Sequence, residues 1–213
     1  MKRRIPLFPL PGVVLLPGTL LPLHIFEPRY RSMVAHALNS DRTIGMAMMK
    51  PGWQGQGSHP DIHAIGGAGE IVEHEELSGG RYNIVLEGRF RYRVLTETAP
   101  DPYRVASVEE VASIPFATPE EESRVVTLAR EAFRSVRSEM DLPPLPEPAV
   151  GAERLASEIA LRLRYAPEEL QALLETDSIP NRLATLIGRM VEWQRRIRFL
   201  APFRPRELDV TRN

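Results

Sequence analysis

Two lysines, Lys2 and Lys50, are all that this 213-residue sequence contains, and arginine supplies every other one of its 27 basic residues. That census limits the chemistry available. A phosphate-binding loop of the Gly-Lys-Ser/Thr type uses lysine to neutralise β/γ-phosphate charge, and no Gly-Lys pair occurs. A Ser-Lys dyad needs a buried, deprotonatable lysine beside its nucleophile; Lys2 reads as part of the N-terminal tail, and Lys50 borders a Gly/Gln-rich loop. His59, Asp61 and His63, with Glu73, His74 and Glu75 nearby, could be drawn as a zinc site, but His-x3-His spacing puts both imidazoles on one face only in a helix. Pro60 opposes that helix, so these side chains are expected to be solvated. His24 is expected to make a hydrogen bond at a sheet rim rather than to act as a base, since the sequence fixes no serine or carboxylate beside it. Glu120, Glu121 and Glu122 follow Thr118-Pro119 and suit the positive end of a helix dipole better than paired-carboxylate catalysis. No catalytic residue, metal or cofactor is expected.

Two groups of residues are candidates for binding instead. Phe26, Glu27, Arg29, Tyr30 and Arg31, with Trp53 further on, combine aromatics, charge and arginine, the side chains that supply most energy at protein interfaces. Within this set Phe26 is read as a core residue, while Tyr30 and Trp53 are balanced between contact and core. Arg189, Arg195, Arg196, Arg198, Arg204 and Arg206, interleaved with Trp193, Phe199 and Phe203, are the best nucleic-acid signal in the chain. Glu192 and Glu207 dilute it, and a solvated helix face with aromatics tucked beneath is the preferred reading. RNA binding is carried as the alternative function.

The elements that must hold these residues fall into two kinds. Residues 5–23 are short apolar pieces punctuated by Pro11-Gly12 and Pro17-Gly18, a pattern of strands and tight turns. Glu27-Pro28 starts a helix whose apolar face is Tyr30, Met33, Val34, Ala37 and Leu38, ending at 39–41. Strands are expected at 43–49, 65–77, 81–96 and 103–111, with Ser78-Gly79-Gly80 as a hairpin turn and a mobile loop at 51–60. Tyr82, Ile84 and Leu86 share one face, Gly88 is a candidate bulge, and 89–94 alternate arginine with apolar residues on opposite faces. Beyond Thr118, an N-cap followed by proline at N1, the pattern turns helical, with an apolar stripe of Val125, Leu128, Ala129, Ala132, Val136 and Met140. Helices follow at 149–163, 167–176 and 180–200 after a proline-rich connector. Strands first and helices after give an α+β class, divided as 1–115 for the β lobe, 116–203 for the helical lobe and 204–213 for a tail.

The apolar fraction of 43%, the charged fraction of 26% and the net charge of −1 are ordinary for a globular protein. Cysteine is absent, so disulfides and thiolate metal sites are excluded, in keeping with a reducing compartment. Lys2, Arg3 and Arg4 before an apolar run imitate a secretion signal, but five prolines between Pro6 and Pro22 would break its helix. A cytoplasmic location is expected.

The run PLFPLPGVVLLPGTLLPLHIFEPRYRSM, from Pro6 to Met33, closely resembles the opening signature of the Lon protease N-terminal, substrate-binding domain family. The resemblance continues through IGGAGEIVEHEELSGGRYNIVLEGRFRYRV, from Ile65 to Val94, with Gly66 and Gly88 at the family's glycine positions and Arg89-Phe90-Arg91 at its arginine-aromatic-arginine segment. Leu173-Leu174-Glu175 and Arg182-Leu183 resemble its helical end. It implies a PUA-like, mostly antiparallel β-barrel lobe followed by a C-terminal α-helical bundle lobe. It also implies a non-catalytic module that grips unfolded or exposed hydrophobic polypeptide segments, as a stand-alone adaptor or client-binding protein that could serve a separate ATP-dependent protease.

Overall fold

The computed structural model describes residues 2–57, 59–98, 102–146 and 150–200. Its strands are β1 (Lys2–Leu10), β2 (Leu20–Ile25), β3 (Thr43–Met48), β4 (Ile65–Leu77), β5 (Arg81–Thr98) and β6 (Arg104–Val111). Helix α1 (Pro28–Leu38) lies between β2 and β3, and α2 (Pro119–Arg137), α3 (Ala152–Arg162), α4 (Pro167–Glu175) and α5 (Ile179–Leu200) follow the last strand. The sheet runs β2-β5-β4-β3-β1-β6, and a further β5–β6 pairing closes β5, β4, β3, β1 and β6 into a ring. All pairs are antiparallel except β1 with β3.

Closure depends on the length of β5. Its 18 residues serve two neighbours in succession along one edge, residues 82–87 pairing with β2 and residues 91–98 with β6. Between them, Gly88 exchanges backbone hydrogen bonds with Gly18 and Thr19. The bulge expected at Gly88 is present as a register shift that leaves Arg89 unpaired opposite Ala68-Gly69. Because the ring removes its own edges, β2 keeps the exposed one, and Pro22, with no N–H to donate, is tolerated in a strand of that kind.

Three apolar clusters result. Ile5, Leu7, Ala68, Tyr92, Ala106 and Val108 fill the barrel, where the Tyr92 hydroxyl donates to Met46 O at 2.9 Å. Burial pushes that phenol's pKa up. Helix α1 covers one barrel face with Tyr30, Met33, Val34 and Ala37 against Phe8, Ile25, Ile84 and Leu86. The helices share a third cluster built from Ala129, Phe133, Leu155, Ile159, Leu183 and Met190, into which Leu16 and Ile65 of the β region also project.

Several expectations are corrected. Residues 13–16 form no strand; Leu15 and Leu16 instead cross the sheet so closely that their carbonyl oxygens lie over Gly67 and Gly88. Lys2 is not in a tail but opens β1, opposite Glu109. The α2 stripe is rotated, because Leu128 is 51% exposed while Phe133 is buried. The alternation over 89–94 holds, with Phe90, Tyr92 and Val94 turned into the barrel, but its arginine face is covered at Arg91, which is 1% exposed. The expected tail, 204–213, lies outside the described residues.

The switch to helix at Thr118 occurs as its chemistry demands. Its side chain accepts a hydrogen bond from Glu121 N at 3.1 Å, and Pro119 opens the helix. Thr118→Ala is expected to lower stability by about 1 kcal/mol, measured by urea unfolding with an unchanged m-value.

Candidate functional site

The residues expected to bind are sorted by the β2–α1 corner into different environments. Strand alternation turns Leu21, Leu23 and Ile25 toward α1, and Leu20, Pro22 and His24 to the opposite side. Phe26, expected to be core, is 61% exposed, and its ring stacks against His24 with centroids 6.0 Å apart. Tyr30 behaves in the opposite way. It is 4% exposed, packed 4.3 Å from the Phe8 ring, with the Arg29 guanidinium 4.4 Å from its own centroid. Burial raises the Tyr30 pKa, Arg29 working against that. Glu27 pairs with Arg29 at 3.0 Å. Arg31 reaches the β4–β5 turn beside Gly80, with its Nε buried and without a hydrogen bond among the described residues. Trp53 is half-buried in a separate loop, in the one-turn helix Trp53–Gly55. No hydrogen bond or ring contact among the described residues links it to α1.

What the sequence reading missed is the open face that Phe26 adjoins. The registers of β2, β5 and β4 align three rows across it: Leu20, Glu87 and Glu70; Pro22, Val85 and Glu73; His24, Asn83 and Glu75. The last row is a polar chain. His24 Nδ1 lies 2.8 Å from Asn83 Oδ1, and Asn83 Nδ2 donates to Glu75 Oε2 at 3.0 Å. The hydrogen bond expected for His24 is thus made, with a carboxylate one residue further on. A groove of about 490 Å³ opens over the second and third rows, lined by Pro22, His24, Glu73, Glu75, Asn83 and Val85. Its β2 side carries Pro22 and His24, with Leu20 58% exposed in the adjoining row, and its β4 side is acidic. Arg89 neutralises Glu70 and Glu87, whereas Glu73 and Glu75 enter no ion pair among the described residues. The available signals were the alternation in LLPLHIF and the acidic run from Glu73 to Glu76, but the two meet only through β5.

The remaining candidates are drawn apart or neutralised. His59 faces Glu97 at 3.8 Å and His63 faces Glu175 at 3.1 Å, so the two imidazoles serve different elements. Among the described residues no three His, Asp or Glu side chains gather as metal ligands. Arg189 pairs with Glu169 at 2.7 Å and lies over Tyr165 and Trp193; Arg196 pairs with Glu192. Arg195 and Arg198 are exposed, and Phe203, Arg204, Arg206 and Glu207 fall outside the described residues. No helix among those residues is long and apolar enough to cross a membrane.

Residues 4–192 match the model of the ATP-dependent protease La (LON) substrate-binding domain. The Lon protease of Syntrophomonas wolfei is 29% identical over 185 residues, which cover 85% of this chain and 23% of that protein. Lon protease 1 of Thermus thermophilus is 26% identical, covering 88% of this chain and 24% of that one. The chain thus spans about a quarter of the length of these curated relatives. Among solved structures, a Lon N-terminal domain protein from Xanthomonas campestris superposes with a TM-score of 0.63 at 24% identity, covering 87% of this chain and 98% of that one. The N-terminal domain of a Mycobacterium avium complex Lon protease gives a TM-score of 0.67 at 17% identity, covering 89% and 99%. With the family model spanning nearly the whole chain and the same fold in both solved domains, the chain belongs to the Lon substrate-binding domain family.

Proposed function

We propose that this chain is a non-catalytic polypeptide-binding module that holds unfolded or exposed hydrophobic segments of client proteins in protein quality control and passes them to a separate ATP-dependent protease. The grip lies at the β2–α1 corner and the open face beside it. Residues 1–115 carry it, and the helices of 116–203 brace it. The observation behind this reading is the juxtaposition of exposed Phe26 and Leu20, on or beside the edge strand β2, with Glu73 and Glu75 of β4, which enter no ion pair among the described residues. Apolar side chains of a client would cover Phe26, Leu20 and Pro22, and its basic side chains would face the two glutamates. Glu27 and Arg29 border the site, Tyr30 and Arg31 support it from below, and Trp53 is a second, separate contact.

The test uses labelled peptides of alternating leucine and arginine, read by fluorescence anisotropy. Phe26→Ala should weaken binding by tenfold or more, in the range of an aromatic hot spot at about 2 kcal/mol, and Glu75→Lys should do likewise. Both residues are exposed, so stability should change by no more than about 0.5 kcal/mol. Tyr30→Ala differs, because truncating a buried ring costs about 3–5 kcal/mol, and it therefore cannot report on contact. Wild-type affinity in both exposed-site variants would sink the proposal.

A further inference from the structure

A second charged surface lies on the helices, well separated in sequence from the acidic face and opposite to it in sign. Arg130, Arg134 and Arg137 line a groove of about 410 Å³ on α2, with Phe133, Pro144 and Pro146 as its apolar walls. Spacings of four and three residues keep the three guanidiniums on one side of the helix, at steps of about 6 Å and about 4.5 Å along its axis. Their hydrogen bonds go to neutral groups. Arg130 Nη1 donates to Pro146 O at 3.4 Å and Arg137 Nε to Leu142 O at 3.2 Å, while Arg130 Nη2 is buried with no hydrogen bond among the described residues. Arg162, which closes the connector by donating to Pro144 O at 2.8 Å, is neutralised by Glu158. No such ion pair reaches Arg130, Arg134 or Arg137 among the described residues, although Asp141 lines the adjoining hollow with Arg134 and Arg137. Elsewhere on the helices, Arg154, Arg182, Arg189 and Arg196 each have a glutamate partner.

We propose that this groove binds an acidic polypeptide segment in extended conformation. Three guanidiniums that enter no ion pair among the described residues present planar donors that match carboxylates. Side chains two apart on an extended chain are separated by about 6.5 Å, close to the axial step from Arg130 to Arg134, so carboxylates at alternate residues would meet these two arginines. Leu145 and the two prolines cover the segment's apolar side chains. The groove would give the module a second contact of opposite preference, for an acidic stretch of a client.

The probe is a labelled peptide of alternating glutamate and alanine, titrated into the full chain at two salt concentrations. Tight binding that weakens with salt is expected, with a loss of tenfold or more in Arg134→Glu and a shallower salt dependence in Arg134→Gln/Arg137→Gln. Arg134 is exposed, so its variant should melt as wild type does, and it should still bind the leucine–arginine peptide, whose site is on the β face. That second ligand separates failure of this groove from failure of the β-face reading. Unchanged acidic-peptide affinity in a folded Arg134→Glu protein would overturn the proposal. So would binding of inorganic triphosphate or a single-stranded oligonucleotide in preference to the peptide, or a self-association that Arg134→Glu abolishes while peptide affinity stays negligible.

Discussion

Replacing Arg91 with alanine is expected to lower the stability of the whole chain by about 3–5 kcal/mol, the cost of removing one member of a buried, hydrogen-bonded charge cluster. The side chain leaves β5 and reaches the end of α4. There Nη1 donates to Leu174 O at 2.9 Å and Asp177 Oδ1 at 3.0 Å, and Nη2 donates to Ala112 O at 3.0 Å. Arg182 approaches the same turn from α5, its Nε donating to Thr176 O at 2.7 Å, its Nη1 to Glu153 at 2.8 Å and its Nη2 to Ser113 Oγ at 3.0 Å. Burial lowers the Arg182 pKa, and the charge of Arg91 adds to that effect. Two cations therefore share the carbonyl-rich end of a helix, where the dipole favours positive charge. Without Arg91, buried carbonyls lose their donor at about 1–3 kcal/mol each where no water replaces it. Arg91→Lys should recover part of the loss at most, since one ammonium cannot reproduce the planar fork. Asp177→Asn should cost far less, because that side chain is half exposed. Urea unfolding of the three variants checks the order, and an Arg91→Ala protein as stable as wild type would remove Arg91 from the seam between barrel and helices.

Gly67→Ala should be comparably damaging, at about 3 kcal/mol or more, beyond the usual cost of overpacking. A Cβ on Gly67 would stand 1.9 Å from Leu15 O. Because that atom is backbone, relief requires residues 15–18 to lift from the sheet. Leu15 belongs to the cluster under α1 and Leu16 to the helical cluster, so lifting the segment loosens both. Gly55→Ala is the matched control: nothing lies within 4 Å of its added Cβ, and it should be neutral or stabilising by up to about 1 kcal/mol. Equal unfolding midpoints for the two variants would contradict the close crossing.

Much of the architecture could be read locally. The Glu27-Pro28 and Thr118-Pro119 helix starts, the Ser78-Gly80 hairpin turn and the common face of Tyr82, Ile84 and Leu86 are each encoded within a few residues. The structure places them accordingly. The family signatures were legible for the same reason, as contiguous runs. The side of an element that becomes covered is a different kind of information. Phe26 and Tyr30 are four residues apart, both aromatic and both within three residues of Arg29, and no periodic pattern distinguishes the exposed ring from the buried one. The difference arises because Phe26 leaves β2 on the side away from α1, while Tyr30 faces Phe8 from β1.

The same division runs through the charges. By itself, the sequence determined that lysine chemistry is all but excluded, that strands precede helices, and that arginine is the cation at nearly every site. Periodicity and capping are short-range effects, so these conclusions needed no knowledge of what packs against what. Tertiary structure decided which arginines are spent internally and which reach solvent: Arg91 is buried against the end of α4, Arg189 is paired, and Arg134 is exposed on its groove. It also decided that β5 would carry both β2 and β6, bringing the apolar strand and the acidic strand onto one face. The decisive partners lie far along the chain, as the contact from Arg91 to Leu174 illustrates with a separation of 83. No local pattern specifies such partners, because a long-range contact is fixed by the geometry of the closed sheet and the helices docked on it.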